Sequence, residues 1–213
     1  SDVCSSDLPI ALSMFINWDL LAILCLCISL FLFSRKKYNF SAIFLAIGTA
    51  VKFFPILLLI PAFVEIRKLN KRKANYFAFN FIFIWTVINL PFALTNFSGW
   101  SYFFRFNFNR NYSYGSIWEL INIFGIPIFN INLLNTFSAF LTLFLIYFFI
   151  FKINFHHKLF TVAFYPFSLF FIFNKVYSPQ YSLWLIVLSS LIVKKRAEII
   201  FYIVWVFFDS IYQ

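Results

Sequence analysis

The chain has 213 residues, of which 63% are hydrophobic, and its mean hydropathy is +0.88. A soluble domain of this length has too little interior to bury so much apolar surface, so the composition excludes an ordinary globular protein and predicts an integral membrane protein. The net charge of +10 does not indicate nucleic acid, because 13 of the 17 Lys and Arg fall in four clusters between apolar runs, the pattern of cytoplasmic loops.

The first eight residues, SDVCSSDL, are polar and do not form a signal peptide. Back-translated, residues 2–8 can read as the end of a common sequencing-library adapter. We therefore expect residues 1–8 to be an artefact and residues 9–213 to be the protein proper, with the natural chain extending upstream.

Six apolar segments can be threaded across a bilayer so that every basic cluster faces the cytoplasm. The clusters are residues 35–37, residues 67–73, Lys152 with Lys158, and residues 194–196. The crossing segments are residues 17–34, 75–95, 131–151, 159–173, 181–193 and 199–211. The predicted fold is an all-α, polytopic transmembrane helix bundle that includes short, broken or re-entrant helices.

Residues 41–64 do not fit a single crossing, because basic clusters flank the segment on both sides. Two full crossings need about 40 residues. This segment is shorter, and VKFFP interrupts it with Lys52 and Pro55 near the middle. Because Pro ends or kinks a helix, the pattern predicts a re-entrant hairpin of two half-length helices. The alternative is one tilted, kinked span whose flanking charges do not set the topology.

The longest extracytoplasmic stretch, residues 95–130, alternates aromatic residues with Arg and Asn, as suits the headgroup region. We expect a short interfacial helix, a turn near Tyr114 and Gly115, and a second short helix that begins with the capping-box pattern SIWE at residues 116–119. Further along, the polar turn NKVYSPQY, residues 174–181, joins two apolar arms that are too short to cross a hydrocarbon core of about 30 Å. We expect this turn to lie in the outer leaflet.

Few charges lie away from the cytoplasmic clusters. Arg105, Arg110 and Lys175 are expected to face outward, and Lys52 to lie within the bilayer, where a charge is a candidate for function. These cations either snorkel to lipid phosphates or form a phosphate site. Asp19 is the one acid expected near an outer-leaflet cavity, where it is a partner for Lys52, a helix-dipole residue or a functional group.

Six motifs occur in order along residues 17–193: NWDLLAI, AIGTAVKFFPILLLIP, VINLPFAL, GWSYFFRFNFNR, GSIW and NKVYSPQYSLWL. Together they resemble glycosyltransferase family 87, polytopic enzymes of the GT-C superfamily related to polyprenyl-phosphate-mannose-dependent α-mannosyltransferases. The resemblance implies transfer of a hexose, by family default mannose, from a polyprenyl-phosphate donor to a lipid or glycan acceptor. The implied location is a bacterial plasma membrane, with multiple spans and an extracytoplasmic active site.

The resemblance also implies a mechanism and a set of site residues. A carboxylate acts as general base, the acceptor hydroxyl attacks the anomeric carbon with inversion, and cations stabilise the leaving phosphate. Donor phosphate or sugar would be bound by Lys52, Arg105, Asn107, Arg110, Lys175, Gln180 and Tyr181. In the superfamily the base lies in an early outer loop, which we expect upstream of this chain. Residues 9–213 would then be a partial transmembrane glycosyltransferase domain, inactive alone, with Asp19 a weak substitute for the base.

A transporter or flippase for a lipid-linked precursor is the alternative function, because broken helices and buried cations also serve transport. No convincing internal repeat supports it. A membrane scaffold without chemistry would leave Lys52 and the polar turn at residues 174–181 unexplained. No metal and no cofactor is expected, because the adjacent His156 and His157 lack a third ligand.

Overall fold

The computed structural model describes residues 18–113, 115–125, 130–151, 159–178, 181–193 and 195–212. All regular secondary structure in those ranges is helical, which confirms the all-α part of the predicted fold. The helices are α1 Asp19–Ser34, α2 Tyr38–Val51, α3 Leu59–Leu69, α4 Lys71–Thr95, α5 Phe97–Asn109, α6 Ile117–Ile123, α7 Ile131–Phe151, α8 Leu159–Phe173, α9 Tyr181–Ile192 and α10 Arg196–Tyr212, and a 3-10 turn occupies Phe54–Leu58.

Contacts divide the chain into two compact units. The first contains the described parts of residues 1–88, 157–164 and 179–213, and the second contains those of residues 89–156 and 165–178. The suspected adapter sequence at residues 1–8 and the pair His156 and His157 lie outside the described residues.

In the first unit, α1 and α2 form a tight antiparallel hairpin, and Lys36 takes a positive φ of 59° in the turn between them. The hydroxyls of Ser29 and Ser41 each donate to the other residue's backbone carbonyl at 2.9 Å. A Cβ at Gly48 would lie 3.0 Å from the Cβ of Cys25, so the two backbones approach closely. Small side chains and interhelical hydrogen bonds hold helices together in an apolar medium, where burial of apolar surface drives little association.

The interruption predicted within residues 41–64 is present. α2 ends directly before Lys52, whose backbone is extended, and the 3-10 turn follows before α3 begins. Pro55, near the start of that turn, has no N–H to continue a helical ladder. The first residue of the turn, Phe54, stacks on Trp184 of α9 with ring centroids 3.7 Å apart. The break is therefore packed against a neighbouring helix.

The basic cluster at residues 67–73, predicted as a loop, is mostly helical. Asn70 alone separates α3 from α4, and its side chain accepts a hydrogen bond from the backbone N–H of Lys73 at 3.0 Å. This is the contact by which an Asn caps a helix N-terminus. Because Lys and Arg are good helix formers, a cluster of positive charge does not by itself indicate irregular structure.

α4 is the one helix whose described residues are long and apolar enough to cross a membrane. It has 25 residues, and only 11% of its most apolar window is buried, unlike the mostly buried core helix of a soluble protein. The described apolar parts of the other candidate helices are 10–17 residues long. The helical architecture is therefore established, and the polytopic arrangement stays a prediction.

The second unit contains the two short helices expected after α4. Asn96 caps α5 by accepting a hydrogen bond from the N–H of Gly99, and Gly115 takes a φ of 80° in the following turn. Ser116 caps α6 by accepting from the N–H of Glu119 at 3.3 Å. The backbone N–H of Ser116 donates to the carbonyl of Ser113 instead of to the Glu119 side chain, so the predicted capping box is present in one half.

The end of α8 is fixed by side chains from two other helices of this unit. The carbonyl of Phe173, the last residue of α8, accepts a hydrogen bond from the indole N–H of Trp118 at 2.9 Å and another from the hydroxyl of Ser138. The final carbonyls of a helix have no intrahelical donor, so these contacts satisfy one of them. They also fix the starting point of the polar turn after α8.

Candidate functional site

An open groove of about 480 Å³ lies along the C-terminal half of α5, and its lining residues are Tyr102, Arg105, Phe106, Asn109 and Arg110. The four members that belong to α5 are spaced by one, three or four residues, so they share one side of the helix. The described lining carries two guanidinium groups and no carboxylate. Such a site fits an anionic group that is joined to an apolar or sugar moiety.

Arg110 follows the last residue of α5 and is fixed by three contacts. Its backbone N–H donates to the carbonyl of Phe106 at 2.9 Å, and its own carbonyl accepts from the ammonium of Lys175 at 2.6 Å. Its guanidinium carbon lies 5.5 Å from the ring centroid of Phe106, a cation–π contact. Within the described residues the guanidinium makes no ion pair, so its positive charge is open to an anion.

Arg105 lines the same groove but is partly engaged by its own helix. Its Nη2 donates to the carbonyl and the hydroxyl of Ser98 at 2.6 and 3.1 Å. The amide of Asn107 donates to the carbonyl of Phe103 at 2.8 Å, and Asn107 is not among the residues that line the groove. The predicted donor contact of Asn107 therefore gains no support from its position and stays a prediction.

Lys175 lies in the turn after α8 and is 7% exposed. Its ammonium donates to the carbonyls of Phe108 and Arg110 at 2.9 and 2.6 Å. These carbonyls lie at the C-terminal end of α5, where the helix dipole is negative and favours a cation. Two of the three ammonium donors of Lys175 are thus used by the protein itself, and its direct contact with a phosphate stays a prediction.

The loop after α5 and the turn after α8 are joined around this lysine. The hydroxyl of Ser113 donates to the carbonyl of Tyr177 at 3.2 Å and accepts from the N–H of Tyr177 at 2.9 Å. The N–H of Ser113 donates to the carbonyl of Lys175 at 3.0 Å. Burial, and secondarily repulsion from Arg110, lower the pKa of Lys175 to about 8. The site therefore contains two adjacent cationic groups that repel each other.

Asp19 and Lys52 form an ion pair in the first unit. The ammonium lies 3.0 Å from each carboxylate oxygen, and Asp19 occupies the first turn of α1. Asp19 therefore pairs with Lys52 and also lies at the positive end of a helix dipole. These are two of the three alternatives predicted for it. Its part in catalysis stays a prediction.

The remaining predicted residues lie near the start of α9. The ring of Tyr181, the first residue of α9, lies 4.4 Å from that of Trp184, and Gln180 lies outside the described residues. The structure brings together three of the predicted residues, which are Arg105, Arg110 and Lys175. Asp19, Lys52 and Tyr181 belong to the other unit, and their presence in one common pocket stays a prediction.

Sequence reasoning missed Tyr102, Phe106 and Asn109 as groove residues. Their three- and four-residue spacing with Arg105 on a predicted helix was a usable signal. The pairing of Lys175 with the carbonyls of α5 had no such signal, because it joins residues 65 and 67 positions apart through backbone atoms.

A family model decides the assignment. The model of glycosyltransferase family 87 matches residues 14–150, well over half of the chain. The chain belongs to glycosyltransferase family 87. Membership makes it a membrane glycosyltransferase, an enzyme that needs a sugar donor and an acceptor. No match was found among curated proteins or among solved structures.

The family 87 match covers most of the motifs by which the sequence resembles the family. It includes Asp19, Lys52 and the whole α5 groove, together with five of the six motifs. The sixth motif and Lys175 lie beyond residue 150. The resemblance expected over residues 17–193 is therefore shown for its larger, N-terminal part.

Proposed function

We propose that this family 87 chain is a hexosyltransferase that takes its sugar from a polyprenyl-phosphate donor on the extracytoplasmic side of a bacterial plasma membrane. The observation that carries the proposal is the α5 groove, in which Arg105 and Arg110 lie beside aromatic rings with no carboxylate in the described lining. A polyprenyl phosphosugar combines one phosphodiester charge, a sugar and an apolar tail. The arginines of the groove suit the phosphate, Tyr102 and Asn109 suit the sugar, and the aromatic residues of α5 suit the apolar tail.

The two guanidinium groups are suited both to the phosphodiester of the bound donor and to the phosphate that leaves. Arg presents a planar set of N–H donors that matches phosphate oxygens. When the bond between the sugar and the phosphate breaks, negative charge grows on the leaving phosphate, and donors already placed beside it lower the barrier. Arg110 is the better placed of the two, because Arg105 also holds Ser98.

In the proposed reaction, the acceptor hydroxyl attacks the anomeric carbon, with mannose as the first sugar to test and a lipid or glycan as acceptor. The bond from that carbon to the phosphate oxygen breaks, and polyprenyl phosphate leaves with the bonding electrons. The configuration inverts, and the hydroxyl proton passes to a carboxylate. Because Lys52 contacts both oxygens of Asp19, the proposal does not assign the base to Asp19.

The membrane arrangement is part of the same proposal. The interruption after α2 supports a re-entrant hairpin, because backbone that leaves a helix within a bilayer must be packed in protein or face water. The exposed aromatic residues of α5 support a position at the membrane interface, where aromatic rings concentrate. The groove would then lie at the depth of lipid phosphates.

Binding of a donor analogue tests the proposal without requiring turnover. The probe is farnesyl phosphomannose, a short-chain phosphodiester, titrated into the purified chain in lipid nanodiscs. We expect Arg110→Ala to weaken binding strongly. Arg35→Ala is the matched control, because Arg35 lies 5.3 Å from the ring of Phe31 and makes the same kind of cation–π contact on another surface. Equal affinity in the two variants would refute the role of the groove.

A further inference from the structure

The ammonium of Lys175 holds the end of the helix that carries the groove. It reaches the carbonyls of Phe108 and Arg110, and the carbonyl of Phe108 also accepts a hydrogen bond from the amide of Asn135. Hydrogen bonds from a charged donor are stronger than those between neutral groups. Lys175 therefore restrains the backbone at the point where α5 ends, beside the groove residues Asn109 and Arg110.

Arg110 depends on that restraint for its position. Its φ and ψ of −67° and 149° place it outside the helix, so its carbonyl has no intrahelical donor. Lys175 holds its carbonyl, and the bonds between Ser113 and Tyr177 secure the loop that follows. Lys175 is absent from the groove lining, whereas Arg110 is part of it. Lys175 can thus act on a bound anion through Arg110.

We propose that Lys175 is a positioning residue of the anion site, which holds Arg110 in the groove and couples phosphodiester binding there to its own protonation. The inference rests on the proposed function, because it takes the α5 groove as the site of the donor phosphate. It differs from a direct phosphate contact of Lys175, since the ammonium is directed to the backbone of α5 and not to the groove.

The coupling follows from the charges that face Lys175. Burial lowers the pKa of Lys175 to about 8, and repulsion from Arg110, the one ionisable side chain among the described residues that shifts this pKa, adds to the effect. The other ionisable side chains on the described elements of this region are Tyr102 and Arg105 on α5, Tyr112 in the next loop, Glu119 on α6, Tyr147 on α7, Tyr165 on α8 and Tyr177 in the turn itself.

Anion binding in the groove and protonation of Lys175 favour each other. An anion beside Arg110 offsets the repulsion between the two cations, so binding raises the pKa of Lys175. By linkage, the form with a protonated Lys175 binds the anion more tightly. Affinity is then highest well below pH 8 and falls as the pH rises through 8, when Lys175 loses its proton. A phosphodiester and a guanidinium keep their charges in this range, so neither produces the change.

The test measures binding of farnesyl phosphomannose between pH 7 and pH 9.5 in nanodiscs. We expect wild-type affinity to fall about tenfold over this range, a typical size for coupling between two sites. Lys175→Arg keeps its charge and should hold its affinity within about twofold. Lys175→Met should bind about tenfold more weakly at pH 7 and show no further fall. Lys71→Met, at an exposed lysine in α4, should behave as wild type.

Two results separate this inference from the proposed function. If Arg110→Ala weakens binding but Lys175→Met binds with the affinity and pH dependence of wild type, the positioning role is wrong and the groove remains. If no variant binds the probe, the proposed function is wrong. Amide hydrogen exchange of residues 109–113, corrected for intrinsic rates, then decides on Lys175. Protection should fall between pH 7 and 9.5 in wild type and not in Lys175→Arg, and unchanged protection in wild type would overturn the inference.

Discussion

Lys52 contacts both carboxylate oxygens of Asp19 at 3.0 Å and closes the open end of the α1–α2 hairpin. The burial of the two partners is unequal, because Asp19 is 1% exposed and the side chain of Lys52 is 25% exposed. The carboxylate oxygen Oδ1 receives no well-directed hydrogen bond, so it depends on the nearby ammonium for stabilisation. The acid therefore carries most of the desolvation penalty of the pair.

This asymmetry predicts unequal effects of the two single substitutions. Lys52→Met leaves a buried carboxylate without its counter-charge and should lower the free energy of unfolding by about 3 kcal/mol. Asp19→Asn leaves a lysine that can turn outward and should lower it by about 1 kcal/mol. The measurement is unfolding of the purified chain in detergent, followed by tryptophan fluorescence.

The double variant Asp19→Asn with Lys52→Met is the control. It should be more stable than Lys52→Met alone, because the unpaired charge has been removed. Strictly additive losses would show that the ion pair contributes nothing as a pair.

Gly48 predicts a second effect on the same hairpin. A Cβ at this position would lie 3.0 Å from the Cβ of Cys25 and 3.3 Å from the carbonyl oxygen of Ala22. Neither atom is at the end of a flexible side chain, so the helices must separate. Gly48→Ala gains about 1 kcal/mol of helix propensity and loses about 1–3 kcal/mol by overpacking. We expect a net loss of stability in the same unfolding assay, and a stabilised variant would show that the helices can move apart freely.

The two polar segments of the second unit should be accessible from the same side of the membrane. Lys175 contacts the carbonyls of Phe108 and Arg110, so Asn109 and Ser178 cannot lie far apart in depth. In a variant whose native cysteines are replaced, Asn109→Cys and Ser178→Cys should react with an impermeant maleimide from the extracytoplasmic side. Lys37→Cys, in the first basic cluster, should react only from the cytoplasmic side, and labelling of Asn109→Cys and Ser178→Cys from opposite sides would contradict the arrangement.

The two arginines of the groove should contribute unequally to donor binding. Loss of a hydrogen bond to a charged group amounts to about 1.5–3 kcal/mol, or roughly 10- to 100-fold in affinity. We expect Arg110→Ala to fall in this range when titrated with farnesyl phosphomannose. Arg105→Ala should lose less, because Nη2 of Arg105 is already engaged by Ser98. The reverse order would place the phosphate nearer the middle of α5.

Helix positions were the part of the fold that the sequence predicted best. α7 begins and α8 ends at the predicted residues, because the polar residues Asn130 and Asn174 bound the apolar runs there. The break after α2 was predictable from Pro55, whose missing N–H ends a helical ladder. The helicity of residues 67–73 was not, since local propensity and the cap by Asn70 override the association of charge with loops.

The candidate site was predictable in its residue types and less so in its contacts. Arg105 and Arg110 were found because outward cations are rare in this chain. Lys175 was found for the same reason, yet its position beneath the end of α5 depends on tertiary packing between distant segments. Pairing of Asp19 with Lys52 is one of the alternatives that the sequence offers, and the structure shows that pairing. The contact of Lys175 with the end of α5 could not be predicted, because every residue has a backbone carbonyl and the sequence of α5 therefore does not indicate it.

Photo-crosslinking of the donor analogue tests the central claim most directly, because it reports the place of binding and not only its strength. Farnesyl phosphomannose with a diazirine next to the phosphate would be irradiated with the chain in nanodiscs and the modified peptides mapped by mass spectrometry. We predict labelling of residues 102–110 that unlabelled donor competes away and that Arg110→Ala greatly reduces. Labelling that avoids α5, or that is unchanged in Arg110→Ala, would contradict a phosphate site in the groove.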